Sequence, residues 1–297
     1  MRRLATAAGL LGVGGLAYAS LVERRWYALR RVTVPGVLRR PDATLRVLHV
    51  SDVHLSPGQQ HRVRFLSSLA ELDYDLVAVT GDLLEGVDLE DAAVAALAPL
   101  TASGRPGLAV LGSHDRFAPV PRNPARYLRP DDDPDARTHG PPLDTARLVA
   151  GLADAGYQTL LGGTTTARTP AGTVAVGGID DPHLDTTVIP PVEALTPTVD
   201  DAVLHLGLVH APYTIALDRL LDAGYDLLLS GHTHGGQLRV PGVGALVANC
   251  DLPLEKTRGL SRHAGGWLHV SAGLGHSRYA PVRFACRPEA TLLELTA

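Results

Sequence analysis

Nine residues carry most of the chemistry in this chain, and each follows a short apolar run. Asp52 and His54 come after Leu45–Val50, and Asp82 after Leu76–Val79. Ser113, His114 and Asp115 come after Leu108–Leu111, His210 after Val203–Val209, and His232 and His234 after Leu227–Leu229. Taken alone, a histidine at a strand end is an ordinary capping or surface residue; the regular recurrence is the signal. Carboxylates and imidazoles without a thiolate suit borderline or hard divalent ions such as Mn, Fe(II), Zn or Ni. A cysteine-based structural zinc site is excluded, because Cys250 and Cys286 are the only cysteines and match no zinc spacing. The six Asp and His side chains Asp52, His54, Asp82, His210, His232 and His234 exceed the needs of one ion. A carboxylate bridges two ions through its two oxygens, and Asp82 is the natural shared ligand. A pair of ions about 3.5–4 Å apart clamps the attacking and leaving oxygens of an in-line displacement at phosphorus.

Such residues must be gathered by the elements that precede them. The apolar runs are bounded by Asp, Gly or Ser and read as strands buried on both faces. Between them, Val63–Leu72, Leu89–Leu97, Leu143–Ala155 and Thr214–Ala223 space apolar residues three and four apart, which predicts amphipathic helices. Later, Thr164–Arg168 and Thr173–Val176 flank the turn Pro170-Ala171-Gly172, and further short strands are expected near 237–239, 245–247, 268–271 and 291–295. The pattern predicts an α/β protein of layered sheets with helices outside. In open α/β sheets the crevice beyond the strands' carboxyl ends binds ligands, so residues far apart in sequence would meet there. Residues 116–142 are rich in Pro and mixed charge with no apolar period, and predict a long loop directly after His114. That loop is expected to wall the site, with Arg116, Arg122, Arg126 and Arg129 either gripping phosphate or simply solvated.

The set Asp52-x-His54, Gly81-Asp82, Gly112-Ser113-His114-Asp115, His210 and Gly231-His232-Thr233-His234 resembles the five motifs of the calcineurin-like metallophosphoesterases, in order and spacing. The resemblance covers residues from about 45 to the C-terminus. Gly235-Gly236-Gln237, Arg258-Gly259-Leu260, Ser271-Ala272-Gly273-Leu274-Gly275 and Arg287-Pro288-Glu289 look most like the YkuE-like branch, whose members often carry an N-terminal anchor or export signal. The resemblance implies a four-layer α/β/β/α sandwich with two divalent metal ions at one edge. It implies a first metal held by Asp52, His54, Asp82 and His234, and a second held by Asp82, His210, His232 and residue 113. It places His114 at the leaving group, protonating it, with Asp115 orienting His114. Family members usually have Asn where this chain has Ser113, a shorter and poorer ligand, so the second site is expected to be weaker; a catalytically silent metal-binding envelope protein is the competing reading. A phosphoprotein phosphatase is disfavoured, because Gly81-Asp82-Leu83-Leu84-Glu85-Gly86 lacks that branch's Arg and Asp115 stands where it has Glu. The expected substrate is a phosphodiester, phosphomonoester or pyrophosphate, with an envelope or lipid-linked ester as the family analogy.

Composition narrows the rest. The chain has 297 residues, 45% hydrophobic and 20% charged, which excludes disordered, collagen-like and disulfide-scaffold classes. A net charge of −4 provides no basic field for a polyanion, so no nucleic-acid partner is expected. Leu4–Val22 holds 19 residues without a charge, flanked by Arg2-Arg3 and by Glu23-Arg24-Arg25. As a helix it would be about 28 Å long, enough to span a bilayer. Residues 1–31 thus read as a membrane segment with a basic flank, preceding a catalytic domain over 45–297. The expectation is a single-pass membrane protein. The alternatives are export with signal cleavage, since Ala17-Tyr18-Ala19 has the small-x-small form and Arg2-Arg3 fits the start of a twin-arginine signal, and a buried core helix. The flanking charges leave the side of the membrane open.

Overall fold

The computed structural model describes residues 14–121, 140–184 and 186–297. Two six-stranded sheets form its body. The first holds β1 (Ala28–Val34), β2 (Thr44–Val50), β3 (Leu76–Thr80), β4 (Gly107–Val110), β5 (Tyr157–Thr159) and β14 (Glu289–Thr296), in the order β1-β14-β2-β3-β4-β5. The second holds β6 (Gly163–Thr169), β7 (Gly172–Ile179), β8 (Leu204–Val209), β9 (Leu227–Ser230), β12 (Gly259–His263) and β13 (Gly266–Val270), in the order β12-β13-β9-β8-β7-β6. β10 (Arg239–Val240) and β11 (Gly244–Ala245) pair as a small hairpin. The helices are α1 (Gln60–Leu69), α2 (Glu90–Leu97), α3 (Thr145–Asp154), α4 (Val192–Leu195) and α5 (Thr214–Asp222).

Strand alternation builds three apolar cores. On β2 and β3, Leu48, Val50, Val77 and Val79 face Leu66, Leu97, Leu148 and Leu152 of the first three helices. Their alternates Leu45, Val47, Leu76 and Ala78 meet Val174, Leu204, Leu206 and Leu229 of the other sheet. The far face of the second sheet packs Val209, Leu228 and Val270 on Leu217 and Leu220 of α5. Sheets buried on both sides need unbroken apolar strands, which is why those strands read as continuous runs. Parallel pairing of β2, β3 and β4, and of β7, β8 and β9, brings their carboxyl ends to one edge.

Three expectations need correction or restriction. Residues 28–31, read as basic flank, belong to the folded body: β1 pairs parallel with β14, and as an edge strand exposed along its middle it shows no apolar run. Among the described residues no helix is long and apolar enough to cross a membrane, and Met1–Val13 of the expected membrane segment lies outside them. Residues 122–139 of the expected loop, with Arg122, Arg126 and Arg129, also lie outside the described residues. Cys250 and Cys286 are both free thiols.

Candidate metal centre

The strand ends do not run straight into the site; they turn sharply. Asp52, His54, Asp82, His232 and His234 all adopt left-handed backbone, with φ between 42° and 67°. For residues other than glycine this conformation costs about 1–2 kcal/mol each, and clustering of strain points to function. Hydrogen bonds hold the turns: the Asp52 amide donates to the Gly81 carbonyl at 2.9 Å and the His54 amide to the Asp82 carbonyl at 2.9 Å. Gly81 itself has φ +77°, and a Cβ there would lie 2.6 Å from the Gly112 nitrogen and 2.8 Å from His210 Nδ1. Only glycine lets the β3, β4 and β8 ends approach this closely.

Asp82 is the centre of the constellation. Its Oδ2 stands 3.4 Å from His54 Nε2 and 3.3 Å from His210 Nε2, while Oδ1 accepts the His114 amide at 2.9 Å. His54 Nδ1 donates to Glu85 Oε2 at 2.5 Å and His210 Nδ1 to the Thr80 carbonyl at 2.6 Å. With Nδ1 engaged in this way, each ring turns its Nε2 inward towards Asp82, and both Nε2 atoms are buried without a hydrogen-bond partner. Two buried imidazole nitrogens left unpaired on either side of a carboxylate fit a shared cation. Three sets of ligand atoms each lie within 4.8 Å of one another: Asp52, His54 and His234; Asp52, Asp82 and His210; and His54, Asp82 and His114. His234 is buried, with Nε2 3.8 Å from Asp52 Oδ1.

Charge follows the same geometry. Burial opposes ionisation of Asp82, but His210 and His114 outweigh it and hold the carboxyl well below its usual range. Burial likewise opposes a charged His210, yet Asp82 and Asp181 raise it well above the usual value. For His114 burial is again outweighed by Asp82 and Glu85, which push it up to about 9. Burial, then the charge of His210, lowers His232 to about 4.

Among the expected Asp and His ligands, His232 stands apart from the tight sets. The His232 ring lies 5.3 Å from that of His210, with Nε2 donating to the Asn249 carbonyl at 3.0 Å, so Nδ1 is its remaining ligand atom. Ser113 opens a short 3-10 turn and is half-buried, its carbonyl accepting the Arg116 and Phe117 amides. The expected role of Asp115 is corrected. Its carboxylate accepts the amides of Asp82 at 2.8 Å, Leu83 at 2.7 Å and Gly112 at 2.9 Å, so it clamps the Asp82 turn rather than orienting His114. Glu85 does that instead, its Oε2 standing 3.2 Å from His114 Nδ1. Sequence reasoning missed Glu85, although it sits three residues after Asp82. It also missed Arg283, a fully buried guanidinium 3.2 Å from His234 Nδ1 that reaches the site from a distant loop with no local signal. Arg116, offered as a phosphate grip, pairs with Asp180.

Residues 45–236 match the calcineurin-like phosphoesterase family. The chain belongs to that family. It is 30% identical to "Phosphodiesterase YaeI" of Escherichia coli K12, over 98% of this chain and 96% of the relative. It is 25% identical to "Uncharacterized metallophosphoesterase YkuE" of Bacillus subtilis, over 99% of each. The crystal structure of phosphopantetheinyl hydrolase (PptH) from Mycobacterium tuberculosis is 12% identical, with TM-score 0.44, over 82% of this chain and 96% of that one. The protein is thus a metal-dependent phosphoesterase, a hydrolase, and its clustered Asp and His side chains are the candidate metal ligands of this phosphoesterase.

Proposed function

We propose that this phosphoesterase binds two divalent ions, one at Asp52, His54, Asp82 and His234 and one at Asp82, His210 and His232, and cleaves a phosphodiester, phosphomonoester or pyrophosphate. The observation that carries the reading is Asp82 Oδ2 lying between two partnerless imidazole nitrogens, 3.4 and 3.3 Å away. Bound there, divalent ions would supply Lewis-acid stabilisation of the phosphoryl oxygens and lower the pKa of water. The chain's own residues do the rest. Glu85 holds His54 and His114 together, with their rings 4.6 Å apart. His114, charged at neutral pH, delivers a proton to the leaving oxygen, a contribution of about 10²–10⁴-fold. The name of the relative YaeI favours a diester among the candidate esters.

The decisive experiment strips the protein with a chelator and restores it with Mn(II), Fe(II), Zn(II) or Ni(II) against monoester and diester substrates. Activity should appear only with metal, and Asp82→Asn should abolish it with loss of bound metal. Turnover without any divalent ion would overturn the reading. Because His232 lies outside the tight ligand sets and Ser113 offers only a neutral hydroxyl on a short arm, the second ion should bind more weakly than the first. Ser113→Asn offers a longer arm ending in a carbonyl oxygen and should fill the second site at lower metal concentration. A parent already holding both ions tightly would remove that point.

The substrate is proposed to be presented at a membrane surface. Leu16, Leu21, Val22 and Trp26 are exposed, as are Val240, Val243 and Leu246 around the β10–β11 hairpin that follows His234. Tyr18 packs edge-on against Phe284, whose carbonyl accepts the Arg239 amide of that hairpin, joining the two apolar groups. Ala19 is buried, its carbonyl accepting the Arg283 amide, and this favours a retained anchor over cleavage after Ala19. The full chain should stay with membranes through an alkaline wash; a mature N-terminus at Ser20 would favour the exported form.

A further inference from the structure

We propose that His269, His49, Thr80 and Ser51 form a one-way hydrogen-bond chain that positions Asp52 as a single-oxygen metal ligand, tying the spacing of the two sheets to the metal centre. The inference rests on the reading of Asp52 as a ligand.

The chain starts at the carboxylate. Ser51 Oγ lies 2.6 Å from Asp52 Oδ2 and 3.2 Å from the Thr80 carbonyl. Burial raises Asp52, but as a metal ligand it is ionised; it then has no proton to give and attracts a donor more strongly than a carbonyl does, so Ser51 donates to Asp52. Its one proton is then committed. Thr80 Oγ1, 2.7 Å from Ser51 Oγ, must donate to it. His49 Nε2, 2.9 Å from Thr80 Oγ1, must in turn carry a hydrogen. That leaves His49 Nδ1 bare, facing His269 Nδ1 at 2.9 Å, so His269 is the donor there. The two rings are buried, and burial lowers both, His49 well below its usual value and His269 to about 4, so neither carries a second proton. One arrangement of hydrogens satisfies all four contacts.

Its geometry crosses the molecule. His269 is on β13 of the second sheet, while His49 is on β2 and Thr80 on β3 of the first. At the far end, Oδ2 of Asp52 is tied to Ser51, while Oδ1 faces His234 Nε2 at 3.8 Å. The His232 amide lies 3.0 and 3.1 Å from the two oxygens and does not choose between them. Ser51 does, leaving Oδ1 as the ligand atom. Groups that orient a ligand from behind typically change metal affinity by about 10–100-fold when removed. These four are positioning residues; none touches substrate.

The test uses the full chain with Zn(II) as the probe. Ser51→Ala should weaken Zn(II) binding, read by chelator competition, by about tenfold or more. His49→Gln keeps an N–H near the position of Nε2 and should stay within about twofold of the parent, whereas His49→Asn cannot reach Thr80 and should resemble Ser51→Ala. Ring ¹⁵N shifts of the Zn(II)-loaded parent should show His49 protonated at Nε2 and His269 at Nδ1. Thermal melts of the metal-free variants separate folding from binding, and if His49→Asn fails to fold, Ser51→Ala and the tautomers still decide. Parental affinity in Ser51→Ala, equal effects of the Gln and Asn variants, or reversed tautomers would each overturn the chain. A parent that binds no Zn(II) would instead remove Asp52 as a ligand, and with it the chain's purpose, while the tautomers of the metal-free protein would still report its polarity.

Discussion

Glu85 sets the chemistry of its two histidine partners by one carboxylate oxygen. It lies 2.5 Å from His54 Nδ1 and 3.2 Å from His114 Nδ1. His114 owes its raised pKa of about 9 to Asp82 and Glu85 working against burial. A general acid works while protonated, so activity should be present below that pKa and fall as pH rises through it. Glu85→Gln removes one of the supporting charges, and the descending limb of the pH–rate profile should move to lower pH. An unmoved limb would show that another group supplies the proton. His114→Ala should lower kcat by about 10²–10⁴-fold on an alkyl ester, and by much less on a nitrophenyl ester, whose leaving group needs no proton. Equal losses on both would assign His114 to the metal set it shares with His54 and Asp82. His210 makes a complementary case. Asp82 and Asp181 raise it, so the metal-free ring carries a proton where a cation would sit. Metal binding must displace that proton, and affinity should rise with pH through neutrality. Titration calorimetry in buffers of different ionisation enthalpy would read the released protons directly; a buffer-independent heat would contradict the charged ring.

The turns that carry the ligands, unlike the strands, are strained elements, and Asp115 shows what steadies them. Its buried carboxylate accepts three amides at 2.7–2.9 Å, from Asp82, Leu83 and Gly112. Hydrogen bonds to charged groups contribute about 1.5–3 kcal/mol each, and unmet buried amides are costly. Asp115→Ala should therefore lower the melting temperature and metal affinity together, whereas its neighbour His114→Ala should spare stability. A variant at Asp115 that melts like the parent and binds metal normally would return the residue to the orienting role the family pattern implies. The contrast explains what was legible beforehand. Strands β2, β3, β4, β8 and β9 announce themselves because burial on both faces demands apolar runs, and each run ends within a few residues of a ligand. Edge strand β1 is exposed along its middle and edge strand β12 is only half-buried, and neither shows such a run. The candidate ligands were named from residue type and spacing, and the structure brings the side chains of Asp52, His54, Asp82, His210 and His234 together. The partners behind them were not, because Glu85, Arg283 and the His49–His269 pair meet the site through contacts between distant segments that leave no local pattern.

Across the whole molecule, contacts of the N-terminal segment lead through the loop of residues 283–286 to the candidate metal centre. Glu23 is buried, and its carboxylate accepts the Ala285 amide at 3.0 Å and the Cys286 amide at 2.6 Å. The Ala19 carbonyl accepts the Arg283 amide at 3.1 Å. The Arg283 guanidinium then spans the Ala272, Gly275 and Cys286 carbonyls and stands beside His234. Burial lowers the pKa of Arg283, but no group of ordinary basicity in water is so enclosed without a shell of acceptors, and the carbonyls form that shell. Glu23 and the Ala19 carbonyl hold this loop from outside, so residues 19–23 belong to the support of the candidate site. Removing residues 1–15 should release the chain from membranes while leaving melting temperature and Zn(II) affinity intact. Removing residues 1–25 should do more, since it deletes Ala19 and Glu23: two charged-acceptor hydrogen bonds are lost, about 3 kcal/mol or more, and the His234 site should weaken with them. Glu23→Gln, which keeps the shape and drops the charge, should fall between the two. Equal stability and equal metal affinity in the two shortened chains would show that the contacts of Ala19 and Glu23 do not support the site, and that the N-terminal segment acts only as an attachment.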